Sequence, residues 1–497
     1  MASTRNSPRA ESTARRKLAG GAASPAGEAP GPVAQAPALA RDCATPGDSA
    51  AVEAVLTAVA GAAREFIVPG STVAVALSGG VDSMVLLDAL ATLAPQHAFE
   101  LRAVHVNHGV SPNAEGWTAF CETQCSARGV PLDVHRLKLD RKRASLEATA
   151  RAARYERLRA SEADVIALAH HADDQAETVL LQLLRGAGPR GLSAMPRFRA
   201  GRPALLRPLL GLTRATLGAY AAVRGVTSID DESNRDLHHR RNSLRQQVAP
   251  LLAARFPGYP GTLVRAAELQ AEASELQDAL AAHDGDGACD ARGLERARLT
   301  ALSAARARNL LRWFLHSQGL KPPSQARLGE MLRQLMHAAP DARTRIAHDG
   351  AEIGCHHGRI AVHAPAARAF SHVWHGEREV PLPGGVLLLR SALGEGVSAA
   401  KLKRAVVTLR SRAGGEKIQI AANRPRRALK RLLQEASVPP WLRIGLPLLW
   451  CGEELAAVPG IGVAVALQAA AQEEGWILEW RALDPKAGLE GGADEVD

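Results

Sequence analysis

The run Thr72-Val73-Ala74-Val75-Ala76-Leu77 leads straight into Ser78-Gly79-Gly80-Val81-Asp82-Ser83, and that into the helix-like stretch Met84-Val85-Leu86-Leu87-Asp88-Ala89-Leu90. Strand, glycine turn and helix in immediate succession commit this part of the chain to a βα unit. Two adjacent glycines let the backbone turn tightly and expose its N–H groups with no Cβ in the way. Those N–H groups, the hydroxyls of Ser78 and Ser83 and the positive end of the following helix together suit a phosphate anion. An ordinary βα turn requires neither the two serines nor Asp82. The pattern is not that of Walker loops, because Gly80 is followed by Val-Asp and not by Lys-Ser or Lys-Thr. Nor is it the dinucleotide fingerprint Gly-x-Gly-x-x-Gly.

The rest of the first half repeats the alternation. An amphipathic helix is expected from about Val52 to Val68, ahead of the first strand. A second strand, Leu101 to Val106, runs into Asn107-His108-Gly109. A helix over about Asn113–Arg128, a third strand around Leu132–Leu137 and a helix over about Leu146–Glu162 follow. The strand Val165-Ile166-Ala167-Leu168 then ends at His170-His171. Strands alternating with helices predict an α/β domain with a doubly wound parallel sheet. Ligands of such sheets bind beyond the carboxyl ends of the strands. The glycine turn, His105 to His108 and His170 to Asp174 all follow strand ends.

Two helices carry polar faces there. Glu147, Arg151 and Arg154 share one face among alanines. Asp173, Asp174 and Glu177 open the helix after the two histidines, with Asp174 and Glu177 on one face. Acids are common in a first helical turn for dipole reasons; following two histidines, they could equally hold a metal or a cationic substrate. A two-histidine zinc site is disfavoured, because adjacent side chains diverge and neither Cys nor a third spaced His accompanies them.

Length, 497 residues, allows two to four domains, and a hydrophobic share of 46% is ample for cores built mainly from Leu, Val and Ala. A net charge of +10 favours a polyanionic partner. The six cysteines include no Cys-x-x-Cys, which suits a reducing cytoplasm and argues against structural zinc. No apolar run reaches the length of a membrane span.

Residues 1–50 are rich in Ala, Pro, Ser, Gly and Arg and are expected to be a disordered tail. The Arg/Ser-rich start, Met1 to Lys17, also has some organelle-transit character. Residues 51–260 form the expected catalytic domain. Within it, Arg185-Gly186-Ala187-Gly188-Pro189-Arg190-Gly191 is a basic loop suited to a phosphate backbone. Arg207-Pro208-Leu209-Leu210 precedes a helix over about Thr213–Arg224. Asp230 to Asn234 is followed by Arg240, Arg241 and Arg245 on a further helix. Residues 261–375 read as mainly helical, over Thr262–His283, Ala301–Gln318 and Gln325–His337, with a small sheet around Arg345–His363. Residues 380–481 read as a small α+β module, where Arg424, Arg426, Arg427, Lys430 and Arg431 form a basic cluster suited to RNA phosphates or to a solvated helix face. The segment 482–497 is an acidic tail.

These stretches resemble the tRNA(Ile)-lysidine synthetase family in its longer three-domain bacterial form, from about Thr72 to Val463. Ser78 to Ser83 is similar to the PP-loop of the wider N-type ATP pyrophosphatases, whose sheet is adenine nucleotide alpha hydrolase-like. The resemblance is carried further by His105-Val106-Asn107-His108-Gly109, Glu147-Ala148-Thr149-Ala150-Arg151 and His170-His171-Ala172-Asp173-Asp174-Gln175-Ala176-Glu177-Thr178. Arg185 to Gly188, Asp231 to Asn234 with Arg241-Asn242, Arg412 to Glu416 and Pro440-Trp441 complete it. Asp230, where Glu is more usual, and the run His238-His239-Arg240 depart from it mildly.

The resemblance implies an ATP-dependent ligase in the cytoplasm. ATP adenylates C2 of the wobble cytidine in an isoleucine tRNA with a CAU anticodon, and free L-lysine then displaces AMP. It implies ATP and Mg²⁺ as cofactors, with Ser78, Gly79, Gly80, Val81, Asp82 and Ser83 on the phosphates and Asp82 near the metal. His105 and Asn107 should line the adenosine end. Arg151, positioned by Glu147, should contact the nucleotide or the adenylated base. Asp174 and Glu177 should hold lysine, with His170 between lysine and adenylate, so that Asp82, Arg151, His170 and Asp174 form the catalytic set. Arg185, Arg190, Arg241, Arg245, Arg426, Arg427 and Lys430 should bind tRNA. No membrane is implied, and a homodimer is admitted. A PP-loop tRNA thiolase would need paired cysteines near the site, and Cys121 and Cys125 come too early in the chain. A non-catalytic RNA-binding protein would not need the phosphate motif and both acid clusters intact.

Overall fold

The computed structural model describes residues 46–109, 111–137, 146–230, 240–290, 292–337, 344–365 and 368–482. Most of the expected N-terminal tail, the segment Asp231 to Asn234 and the acidic tail lie outside the described residues, as do the side chains of Glu147 and Arg151.

The chain begins with α1 (Pro46–Phe66), which opens at Pro46, ahead of the expected Val52. Proline suits a first helical turn because its missing N–H would have no intrahelical partner there. There follow β1 (Thr72–Ala76), α2 (Val81–His97), β2 (Glu100–Asn107), α3 (Ala114–Ser126), β3 (Leu132–Arg136), α4 (Leu146–Arg159), β4 (Val165–Ala167) and α5 (Ala172–Leu184). Then come α6 (Pro189–Leu192), β5 (Phe198–Arg199), β6 (Ala204–Leu206), α7 (Arg214–Arg224), α8 (Arg240–Ser243) and a π-helical turn, Leu244–Val248, running into α9 (Ala249–Arg255).

These strands form one sheet in the order β3-β2-β1-β4-β6-β5. All neighbours are parallel except β5 with β6. The direction of winding reverses between β1 and β4, so a crevice opens beyond their carboxyl ends. Alternation along β1 faces Val73 and Val75 to one core, with α1, α2 and α7, and Ala74 to a second core that holds Leu158 of α4. Both faces are thus covered, as a parallel sheet requires. Leu86, Leu87 and Leu90 of α2 are wholly buried, each stabilising the fold by about 1.5–3 kcal/mol.

The sequence pattern does not predict β6. Its three residues sit next to Arg207-Pro208, which disguises them as a loop, yet β6 is the parallel neighbour of β4, with Ala167 opposite Leu206.

The middle region contains α10 (Tyr259–Gly285), β7 (Cys289–Asp290), β8 (Gly293–Glu295), α11 (Arg296–Ala301), α12 (Ala304–Ser317), α13 (Gln325–His337), β9 (Arg345–His348), β10 (Ala351–His356) and β11 (Arg359–His363). Helices cover an antiparallel sheet ordered β7-β8-β11-β10-β9. The helix expected over Ala301–Gln318 is α12, which starts at Ala304, and the short α11 ahead of it is not predicted by the sequence pattern. The loop expected from Asp284 starts later, because Asp284 is still helical and buried against Arg306.

The C-terminal region runs β12 (Ser371–Val373), β13 (Glu379–Leu382), β14 (Gly385–Leu393), β15 (Val397–Ser398), α14 (Ala399–Leu402), β16 (Val407–Arg410), β17 (Lys417–Ile418), β18 (Arg427–Ala428) and α15 (Leu429–Glu435). It ends with α16 (Pro440–Gly445), β19 (Leu448–Cys451), β20 (Glu454–Val458), β21 (Gly462–Val463) and β22 (Glu474–Ala482). Strands dominate it, in sheets ordered β12-β16-β19-β20-β21 and β13-β14-β22-β15.

Candidate active site

Four residues, Leu77 to Gly80, carry the chain from β1 into α2. Gly79 has φ +85°, and a Cβ there would lie 2.6 Å from Ile229 Cδ1. Its carbonyl accepts the Ile229 N–H at 3.0 Å. Gly80 is extended at the start of α2, with φ −70° and ψ 160°. Ser83 ties the turn together: its Oγ donates to Gly80 O at 2.9 Å and accepts from Ser78 N at 3.2 Å. The loop is therefore shaped in advance, with the N-terminus of α2 aimed into the crevice.

His105 is buried, and its Nδ1 bonds the carbonyl of Leu77 at 2.9 Å, bracing the residue just before the turn. Burial lowers its pKa, so the ring is neutral. Asn107 donates to Ala114 O, Glu115 Oε1 and Thr118 Oγ1, while its Oδ1 accepts the Gly109 N–H. Its amide is thus engaged in lacing β2 to α3, and builds a wall of the crevice.

Across the switch point, His171 begins α5. Asp174 Oδ2 accepts the His171 N–H at 3.2 Å, a cap on the first turn. The His171 ring is 2% exposed and lies among three carboxylates: Asp82 at 3.6 Å, Asp173 at 3.5 Å and Asp174 at 3.4 Å. Burial opposes its charge, but the facing carboxylates of Asp173, Asp82 and Asp174 outweigh that and hold its pKa up to about 9. This imidazolium joins the phosphate turn to the acidic helix.

The acid pair on α5 is matched by two arginines. Arg241 Nε donates to Glu177 Oε2 at 2.9 Å, and Arg245 Nε donates to Glu177 Oε1 at 2.6 Å. Arg245 Nη2 also reaches Asp174 Oδ1 at 2.8 Å. Burial works against the Arg245 charge, and Glu177, Asp174 and Asp82 raise its pKa nonetheless. Arg245 sits in the π-helical turn, a local widening common at functional sites. The arginines expected on tRNA thus face the acids expected on lysine.

His170 is half-buried and receives a hydrogen bond from Arg207 Nε at 3.1 Å. The sequence points to His171 only within the two-histidine cluster, without assigning it a role, and it assigns none to Arg207. The signal for Arg207 was a charged residue inside Leu205-Leu206 and Pro208-Leu209-Leu210, a run apolar enough to be buried.

Of the remaining expected residues, Arg185 is exposed at the end of α5. Arg190 bonds Asp278 of α10 and His316 of α12, joining the first domain to the middle region. Arg426 pairs with Glu454 at 3.4 Å, Arg427 pairs with Glu435, and Lys430 is exposed. Cys121 and Cys125 are buried on α3, and burial pushes their thiols up to about 12 and about 11, so neither offers the thiolate a sulfur carrier needs.

A cleft of about 930 Å³ opens between β11 and the C-terminal region, lined by residues including His356, His357, Arg359, His363, Trp441 and Trp480. Trp441 stacks on His363 with ring centres 4.5 Å apart.

Models of a PP-loop domain, a TilS substrate binding domain and a TilS substrate C-terminal domain match residues 53–252, 294–361 and 407–480. A tRNA(Ile)-lysidine synthase of Nitrosomonas europaea is 43% identical over 430 residues, covering 84% of this chain and 93% of that protein. This chain belongs to the tRNA(Ile)-lysidine synthase family. Proteins of the same name from an Azoarcus species and from Coxiella burnetii are 42% and 37% identical, covering 83% and 82% of this chain and 92% and 93% of their own lengths. The PP-loop match and the two TilS matches fall on the α/β domain, the middle region and the strand-rich C-terminal region.

Proposed function

We propose that this chain ligates free L-lysine to C2 of the wobble cytidine of an isoleucine tRNA with a CAU anticodon, using ATP. The observation that carries this reading is the juxtaposition, across one crevice, of a pre-shaped phosphate turn and the acid pair Asp174 and Glu177, in a chain of this family.

In the first step the cytidine O2 attacks the α-phosphorus of ATP. The bond to the β-phosphate breaks and pyrophosphate leaves. The N–H groups of the glycine turn and the start of α2 stabilise the departing charge. Asp82 Oδ1 is buried and has no hydrogen-bond partner among the described residues. An oxygen of that kind beside the turn fits Mg²⁺, which binds through one or two carboxylates together with substrate phosphates. The metal would neutralise charge on the pyrophosphate.

In the second step the lysine side-chain amine attacks C2. The C2–O bond breaks, AMP leaves with that oxygen, and the amine gives up a proton. Asp174 and Glu177 select the cationic amino acid, exchanging part of their pairing with Arg241 and Arg245 for the substrate. The +10 net charge and the exposed Arg185, Arg426 and Lys430 support binding of tRNA. No helix among the described residues is long and apolar enough to cross a membrane; the need for ATP and tRNA, and free thiols at the described cysteines, support a cytoplasmic reaction.

The test is incubation with ATP, radiolabelled lysine and the CAU-anticodon transcript, followed by nucleoside analysis. Label in a modified cytidine is expected. No label in the nucleoside, or a thiolated nucleoside formed when a sulfur donor is supplied in place of lysine, overturns the reading.

A further inference from the structure

Arg207 is 1% exposed, a guanidinium inside the protein, at the end of β6. Its backbone N–H donates to Arg197 O at 2.8 Å and its Nη1 to Pro196 O at 2.9 Å. The register that sets Ala167 of β4 opposite Leu206 carries Arg207 to the level of the residues after β4. There its Nε donates to His170 Nδ1 at 3.1 Å.

A guanidinium has N–H donors and no acceptor, and it is not deprotonated in proteins. The ring nitrogen that receives its N–H must therefore carry a lone pair. A neutral imidazole with a lone pair on Nδ1 has its proton on Nε2. Protonating Nδ1 would break this bond and set two cations against each other where water is scarce.

We infer that Arg207 is a positioning residue that locks His170 as the neutral tautomer with its proton on Nε2, so that His170 serves the reaction as a hydrogen-bond donor and not as its base. This rests on the functional reading above and sharpens it. The Nε2–H suits an oxygen that gains negative charge, the adenylate phosphate as AMP leaves. The proton lost by the attacking amine then goes to a carboxylate of the acid cluster. The contrast with His171 is geometric: that neighbouring ring faces three carboxylates, while the Nδ1 of His170 receives an arginine N–H.

The direct test is a long-range ¹H–¹⁵N spectrum of full-length protein labelled with ¹⁵N-histidine, with the His170 signals identified by their loss in His170→Asn. The expected pattern at pH 7 is a protonated Nε2 and a lone-pair Nδ1. A protonated Nδ1, or an imidazolium, overturns the proposal. This readout needs no turnover, so failure to form a lysine-modified cytidine would reject the functional reading and leave the tautomer standing.

Kinetics supply the second arm. Arg207→Met should slow single-turnover lysine transfer about 10- to 100-fold, the usual range for losing a partner that orients a histidine. In a His170→Ala background the same change should cost less than about twofold, because coupled residues are not additive. Equal losses in both backgrounds would show that Arg207 acts only on the fold and would overturn the proposal. If Arg207→Met does not fold, Arg207→Lys carries the same comparison. Its ammonium also only donates, and it should keep the Nε2–H pattern; loss of that pattern would count against the lock.

Discussion

Arg245 holds Glu177 through both ends of its fork, Nε to Oε1 at 2.6 Å and Nη2 to Oε2 at 2.9 Å, and the same Nη2 lies 2.8 Å from Asp174 Oδ1. Glu177 is 4% exposed, so a carboxylate that deep needs a cation. The arginines balance the charge of the acid pair and hold it in one orientation, and the geometry that receives them also suits an ammonium group.

Replacing that fork by a point charge separates the two roles. Arg245→Lys should raise the KM for lysine about tenfold, equivalent to ~1.4 kcal/mol, because a bidentate arrangement is lost while the charge remains. The KM for ATP should change less than that for lysine, because the hydrogen bonds of Arg245 go to Glu177 and Asp174 and not to the turn. Steady-state kinetics with each substrate varied in turn decides it, and an effect on ATP alone would remove Arg245 from the lysine side.

The two glycines of the turn should fail differently. Gly79→Ala places a Cβ against Ile229 in a left-handed backbone, at a conformational cost of about 1–2 kcal/mol before the clash is counted. It should lower the melting temperature and abolish ATP–pyrophosphate exchange. At Gly80 a Cβ meets only Ser78 Oγ, at 3.6 Å, and the backbone is ordinary. Gly80→Ala should melt like the parent and lose only affinity for ATP, measured by calorimetry.

Acid should loosen the seat of Trp441. Burial lowers the pKa of both His356 and His363 from the ordinary 6.5. His357 and Arg443 add to the effect at His356; at His363, Glu352 opposes it and Arg345 adds to it. A depressed histidine contributes stability that is present above its unfolded pKa and is lost as pH falls through the folded value. Stability should therefore fall from pH 6.5 downwards, visible as a shift in Trp fluorescence on thermal melting. His356→Gln with His363→Gln should flatten that slope. A Cβ on Gly354 would lie 2.6 Å from the Trp441 ring, so Gly354→Ala should unseat it at every pH.

In the C-terminal basic cluster, Arg426 is 64% exposed while Arg427 is engaged with Glu435. Arg426→Glu should raise the tRNA KM and reduce the salt dependence of binding by about one phosphate contact, leaving the ATP KM unchanged. Arg427→Glu should do the same and reduce stability more, because Arg427 is less exposed and meets Glu435 more closely than Arg426 meets Glu454. Filter binding over a salt series and thermal melting separate the two.

Legibility in the sequence follows the range of the interaction. The glycine turn, the acids opening α5 and the alternation of β1 to β4 with helices can be read because each is fixed by neighbours a few residues away. The partners of Glu177 lie 64 and 68 residues on, and no local pattern distinguishes an arginine bound for an acid from one bound for RNA. Asn107 likewise reads as a ligand-facing residue, while its amide bonds are all made to the protein around it.

By itself the sequence determined a phosphate turn, a parallel sheet around it and an acidic helix start at the same sheet edge, since turn chemistry and hydrophobic period are local properties. Only the tertiary structure decided which charges meet. It placed His171 between Asp82 and the acids of α5, and Arg241 and Arg245 on Glu177. It also buried Arg207 against His170. The physical reason is that β4 and β6 pair side by side although Arg207 comes 37 positions after His170; burial and register, which bring these charges and rings together, exist only once the sheet has formed.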